Sequence, residues 1–136
     1  MHFTPYLNFN GNCAEAFRFY ERVLGGKITF MQTHGESPMA DQVPAEMSDL
    51  VMHVSMEVNG QVLMASDSPP EYYHPGSSVW VSIHLDEPAE AERVYAELSE
   101  GGDIKMPIGK TFWAGRFAMF IDRYGTPWMI NCEKGD

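Results

Sequence analysis

Cysteine is almost absent from this chain: Cys13 and Cys132 are the two among 136 residues. They have no C-x-x-C spacing, and the expectation is two reduced, buried thiols in a cytoplasmic protein. Positive charge is scarce as well. Nine Lys and Arg stand against 19 Asp and Glu, for a net charge of −10. Nucleic-acid binding needs clustered Lys and Arg against phosphate, so that partner class is excluded. An anionic membrane surface is disfavoured for the same reason. No stretch approaches the ~20 apolar residues of a membrane span. The opening MHFTPYLNF lacks the basic start and apolar run of a secretory signal. Also missing are a nucleophile elbow, an H-E-x-x-H motif and a glycine-rich strand-to-helix loop for a nucleotide-like cofactor. What remains is a single domain, residues 1–136, with 44% hydrophobic residues. That length can bury roughly two-thirds of its unfolded surface without staples.

The chain repeats itself. AEAFRFY at 14–20 returns as AEAERVY at 89–95, and both runs lead to a glycine pair, Gly25-Gly26 and Gly101-Gly102, then to Ile28 and Ile104. The spans GQVLMAS (60–66) and GTPWMIN (125–131) share a glycine and a methionine four apart, Gly60/Met64 and Gly125/Met129. Two similar modules follow, about 1–66 and 78–134, joined by the proline-bearing 67–77.

Period-two alternation predicts a strand over Phe3–Phe9, and Asn12 is placed to cap a helix over about 13–24. Gly25-Gly26 ends that helix. Strands are expected over Lys27–His34, Leu50–Val58 and Gln61–Ser66, with Asn59-Gly60 as a hairpin turn. Residues 35–49 are polar, carry two prolines, and read as a lid or a disordered loop. The second module repeats the order. It has a strand over Ser78–Leu85 with Val79, Val81, Ile83 and Leu85 on one face. A helix follows over about 87–100, capped by Asp86 with Pro88 in its first turn. Next come a short strand over about 103–109 and a hairpin of Arg116–Ile121 and Trp128–Cys132. The class is α+β, as tandem βαβββ modules.

This order, with PYLNFNGNCAEAFRFYERVLGG near the start and FWAGRFAMFIDRYGTPWMIN late, resembles the vicinal oxygen chelate superfamily of glyoxalase I, extradiol dioxygenases, fosfomycin-resistance enzymes and bleomycin-resistance proteins. Within it the chain looks most like the PhnB-like branch. The resemblance covers essentially the whole chain. It implies a curved, barrel-like mixed sheet with a central cleft, helices outside, and a homodimer. It also implies one metal ligand on the first and one on the last strand of each module. The corresponding positions here are Thr4, Met64, Trp80 and Met129, none of them a His or a carboxylate. Thioethers are poor ligands for hard or borderline divalent ions, so no cofactor is expected, and a divalent metal would need a displaced site.

His53 and Glu57, four apart, would stand ~13 Å apart on a strand, too far to share an ion. A displaced site could draw on His53, His84 and a carboxylate. Cys13, at a helix start, could have a lowered thiol pKa, but it reads as structural, as do the helix acids Glu15, Glu21, Glu90, Glu92 and Glu97. His34 and His74 belong to loops. The better signal is aromatic and methionine content: Tyr6, Trp80, Phe112, Trp113, Met64 and Met129 are expected to face the cleft, with Asn8, Ser82, His84 and Asn131 as its polar groups. Ligand sites have that composition, and the same residues could instead simply fill the space between sheets. The expected function is binding of a small organic molecule without a metal. A metal-dependent lyase, isomerase or dioxygenase with non-standard ligands is the alternative, and a regulatory module with a filled cleft is a second. Methyl transfer, a label some branch members carry, has no supporting feature.

Overall fold

Both helices form where apolar residues recur at helical spacing, and each lies on one side of a sheet. In the computed structural model, which describes all residues 1–136, the first module runs β1 (Tyr6–Phe9), α1 (Cys13–Leu24), β2 (Lys27–Thr33), β3 (Val51–Val58) and β4 (Gln61–Asp67). The second runs β5 (Val81–His84), α2 (Pro88–Ser99), β6 (Asp103–Gly109), β7 (Arg116–Ile121) and β8 (Pro127–Cys132). The chain divides into two compact units, Met1–His74 and Pro75–Asp136. Each unit holds its own four-stranded mixed sheet, ordered β1-β4-β3-β2 in one and β5-β8-β7-β6 in the other. Both sheets are open. No helix is long and apolar enough to cross a membrane.

The two sheets share their registers. β1 pairs parallel with β4, matching Tyr6 to Met64 and Asn8 to Ser66. β5 pairs parallel with β8, matching Ser82 to Met129 and His84 to Asn131. The remaining pairs are antiparallel. Even the irregularities recur, because the register shifts between Ile28 and Phe30 and again between Ile104 and Met106. The glycine pairs are explained by two separate demands. Gly25 and Gly101 take φ of 67° and 78°, a region that L side chains rarely adopt. Gly26 and Gly102 pass so close to the third strand of their module that a Cβ would stand 2.7 Å from Val58 and 2.3 Å from the Ile121 carbonyl.

Each unit has its own core. In the first, α1 buries Cys13, Ala16, Phe17, Phe19, Tyr20 and Val23. The sheet meets it with Phe9, Val54, Met56, Leu63 and Ala65. Phe9, Phe17 and Tyr20 lie with ring centroids 5.5–6.4 Å apart. In the second, Ala91, Val94 and Leu98 of α2 are buried, as are Ala118, Phe120, Trp128, Ile130 and Cys132 of the sheet. Burying a Val-, Leu- or Phe-sized side chain is worth roughly 1.5–3 kcal/mol, so these faces fix which side of each strand looks inward.

A buried carboxylate ties each unit together. Asp67, at the end of β4, accepts from the backbone N–H of Gly11 (2.9 Å), Cys13 (3.1 Å) and Val51 (2.9 Å). It thereby joins β4 to the β1–α1 turn and to the start of β3. Asp122 accepts from the Tyr124 and Thr126 amides and from the Trp128 indole, closing the β7–β8 hairpin.

Several local expectations are corrected. β1 begins at Tyr6 and β5 at Val81, so Thr4 and Trp80 stand just ahead of the strands. Val79 is 77% exposed and does not join a core face. α2 starts from Glu87, not Asp86, because Pro88 with its preset φ occupies the first helical position. Asn12 is the N-cap of α1 but makes no side-chain cap bond; Asp67 satisfies the Cys13 amide instead. Residues 35–49 form short 3-10 turns at His34–Glu36, Ala40–Gln42 and Ala45–Met47. The first is held by reciprocal bonds between Thr33 and Glu36.

Removing the Asp67 carboxylate would strand three inward amides. Asp67→Ala is expected to lower the unfolding free energy in urea by about 3 kcal/mol. A loss below about 0.5 kcal/mol would show that the clamp carries no weight.

Candidate functional site

Strand pleating puts every second residue on the face away from the helix. In the first unit that face carries Tyr6 and Asn8 from β1, Met64 and Ser66 from β4, His53 and Ser55 from β3, and Phe30 from β2. One paired row reads Tyr6–Met64–Ser55–Phe30. His53 stands beside it. Its Nδ1 lies 3.1 Å from the Tyr6 hydroxyl, and its ring stacks on Tyr6 at 5.6 Å and tilts against Phe30 at 5.9 Å. The sequence alone offers His53 a place on a polar sheet face or a share in a displaced metal site with His84, and neither pairs it with Tyr6. The β1-β4-β3 strand order is what brings it to Tyr6. Asn8 Oδ1 accepts from the Ser68 hydroxyl at 3.2 Å.

In the second unit the corresponding row is Ser82–Met129–Met119–Met106. The next row is His84–Asn131–Phe117. Three polar residues singled out in the sequence meet here. Ser82 Oγ lies 3.1 Å from His84 Nε2, and the Asn131 amide lies 3.4 Å from His84 Nδ1. The imidazole is therefore held at both nitrogens, with Ser82 and Asn131 fixing its plane. A cavity of about 600 Å³ opens beside it, lined by His84, Leu85, Asp86, Asn131, Glu133 and Lys134. Trp113 packs edge-on against Phe117 at 5.2 Å and so reaches the His84–Asn131 row. Phe112 contacts Trp113 at 4.7 Å but is 97% exposed. The Trp80 indole donates to the Ser77 carbonyl at 2.6 Å.

These faces can offer hydrogen bonds from hydroxyl, imidazole and amide groups, and polarisable contact from thioethers and rings. They are poor sites for a hard or borderline divalent ion. The first-module positions Thr4 and Met64 supply a hydroxyl and a thioether; the second-module positions Trp80 and Met129 supply an indole and a thioether. Hard and borderline divalent ions favour imidazole, carboxylate or thiolate, so this donor set does not fit such an ion. Nowhere do three or more His, Cys, Asp or Glu side chains come together as a displaced divalent site would need.

Cys13 is fully buried at the start of α1. Burial, and secondarily the Asp67 carboxylate, push its thiol far above the ordinary cysteine range. The thiolate, not the thiol, is the nucleophile, so a position at a helix start does not make Cys13 reactive.

Comparison with known proteins gives a consistent picture. The family model described as the Glyoxalase/Bleomycin resistance protein/Dioxygenase superfamily matches residues 2–130. Protein YjdN of Escherichia coli (strain K12) is 32% identical over 142 residues, spanning 98% of this chain and 97% of that protein. The crystal structure of protein PA1353 from Pseudomonas aeruginosa is 46% identical, with a TM-score of 0.90 and coverage of 98% of both chains. A PhnB protein from Bacillus cereus has the same fold at 24% identity, with a TM-score of 0.82 over 97% of this chain and 99% of that one.

Native protein at pH 8 is expected to leave Cys13 unmodified by a disulfide-exchange reagent, with full labelling on unfolding in urea. Rapid labelling of Cys13 in the folded state, located by peptide mass, would contradict the burial argument.

Proposed function

The chain belongs to the glyoxalase/bleomycin resistance protein/dioxygenase superfamily, and from that premise we propose that it binds a small organic molecule on the methionine- and aromatic-bearing faces of its sheets, without a divalent metal in recognition. One observation carries the reading. The positions where the family resemblance puts metal ligands hold Met64 and Met129 at matching registers, each beside a hydrogen-bonded histidine on the same face. Apolar contact surface with a few fixed polar groups is the composition of a ligand site. Thioethers adapt their packing to different ligand shapes. The His84 ring, held by Ser82 and Asn131, supplies a directional hydrogen-bonding group at low cost in ordering, because its rotamer is already fixed.

A homodimer is part of the same reading. Phe3 and Phe112 are 93% and 97% exposed, and large apolar side chains left in water are what a second copy would cover. Light scattering on a sizing column is expected to give twice the chain mass. A monomer at micromolar concentration would remove this part of the proposal.

The binding reading is tested by thermal denaturation against a library of small aromatic and heteroaromatic compounds. A ligand at 100 times its Kd adds about 2.7 kcal/mol of stability, which reads as a clear rise in Tm. At least one compound is expected to give such a rise, to give it equally in EDTA, and to lose it in Met129→Lys or His84→Ala. No rise across the library, or a rise abolished by EDTA, would contradict the proposal.

A further inference from the structure

The second unit carries a feature that organic-ligand binding does not require. Met129 pairs with Met119, and Met119 pairs with Met106, so three methionines occupy one row across β8, β7 and β6. We propose that these three thioethers form a binding site for a soft monovalent cation of the Cu(I) or Ag(I) class.

Register and burial place the sulfurs on one face. Residues 118, 120, 128 and 130 point to the α2 side and are buried, while Met119 and Met129, which alternate with them, are half-buried and Met106 is 41% exposed. Methionines that only filled a core gap would be shut away, as Met56 is in the first unit. Paired residues on adjacent antiparallel strands have Cα atoms about 4.5–5.5 Å apart. Met119 is central; Met129 pairs with it in a regular stretch of the β7–β8 ladder, and Met106 pairs with it between two register shifts of β6. The unbranched side chain turns about three bonds, so the outer sulfurs can lean towards the middle one.

The donor chemistry selects the ion. Thioethers are neutral and soft; they suit Cu(I) and serve Mg, Ca or Zn poorly. No carboxylate occupies the row, which ends in Ser82. The net charge of −10 favours approach of any cation. The competing soft donors are the two thiols, and both Cys13 and Cys132 are buried. Burial and Asp67 together keep the Cys13 thiol protonated, which makes it a weak ligand. The first unit supplies an internal control, because its equivalent row, Tyr6–Met64–Ser55–Phe30, has a single sulfur.

The test is an anaerobic titration of Cu(I) against a chromogenic chelator, with Ag(I) calorimetry as a redox-inert check. Wild-type protein is expected to take up one equivalent. Met119→Leu and Met129→Leu should each weaken binding at least tenfold, and Met64→Leu should leave it unchanged. Met106→Leu, at the exposed end of the row, gives the same reading if a central variant misfolds. X-ray absorption of the loaded Cys13→Ala/Cys132→Ala protein should still show sulfur ligands. Uptake that is unaffected in the triple Met→Leu variant, that is lost in the folded Cys13→Ala/Cys132→Ala protein, or that is no tighter than for free methionine would overturn the proposal.

Discussion

Everything placed on the open faces depends on one pairing in each module, the parallel ladder between its first and last strands. Parallel neighbours cannot be joined by a tight turn, so a crossover must intervene, and here it is a helix and two further strands. The βαβββ order meets that requirement in both modules. The ladder also sets the chemistry of the face. A slip of one residue would turn every side chain of β1 or β5 to the other side of its sheet. Phe9, fully buried against α1, and the apolar residues of β4 and β8 resist that slip. Tyr6 therefore meets Met64, and Ser82 meets Met129.

The two modules hold this shared geometry by different means. The first uses a charge: the Asp67 carboxylate takes three amides from three segments of the chain. The second has Cys132 at the end of its last strand, whose thiol donates to the Lys134 carbonyl, and places its buried carboxylate, Asp122, one hairpin earlier. Their open faces have diverged further. One mixes Tyr6, Phe30 and His53 with a single methionine. The other has three methionines in a row beside a histidine fixed at both nitrogens. A duplicated scaffold thus presents two surfaces of different polarity and softness, and only the fold is common to them.

Much of the scaffold was legible because its signals are local. The bounds of α1 and of β7, the Asn59-Gly60 turn with φ of 49° and 78°, and the glycine pairs all rest on residues within a few positions of each other. Strand starts failed where alternation persisted without a partner. Phe3 and Thr4 continue the pattern of β1, but the ladder to β4 begins at Tyr6, and Pro5 has no N–H to donate. The same holds for Ser78 to Trp80 ahead of β5. Among candidate site residues, Ser82 and His84 could be grouped because strand alternation puts them on one face, and Asn131 is expected with them as a polar group of the cleft. His53 and the full methionine row could not, because their neighbours come from strand order, which no single stretch of sequence encodes. Residues 34–47 fold into 3-10 turns through Ser37 and neighbouring backbone bonds that no periodicity announces.

The central claim is that the faces away from the helices, and not the cores beneath them, receive the ligand. Methionine methyls report it directly, since the chain places them on both sides of its sheets. In protein labelled with carbon-13 at the methionine methyls, adding a compound that raises the Tm is expected to shift the resonances of Met64 or of Met129 and Met119. The fully buried Met56 should stay in place. Shifts confined to Met56, or to methionines remote from both faces such as Met1 and Met39, would contradict the account.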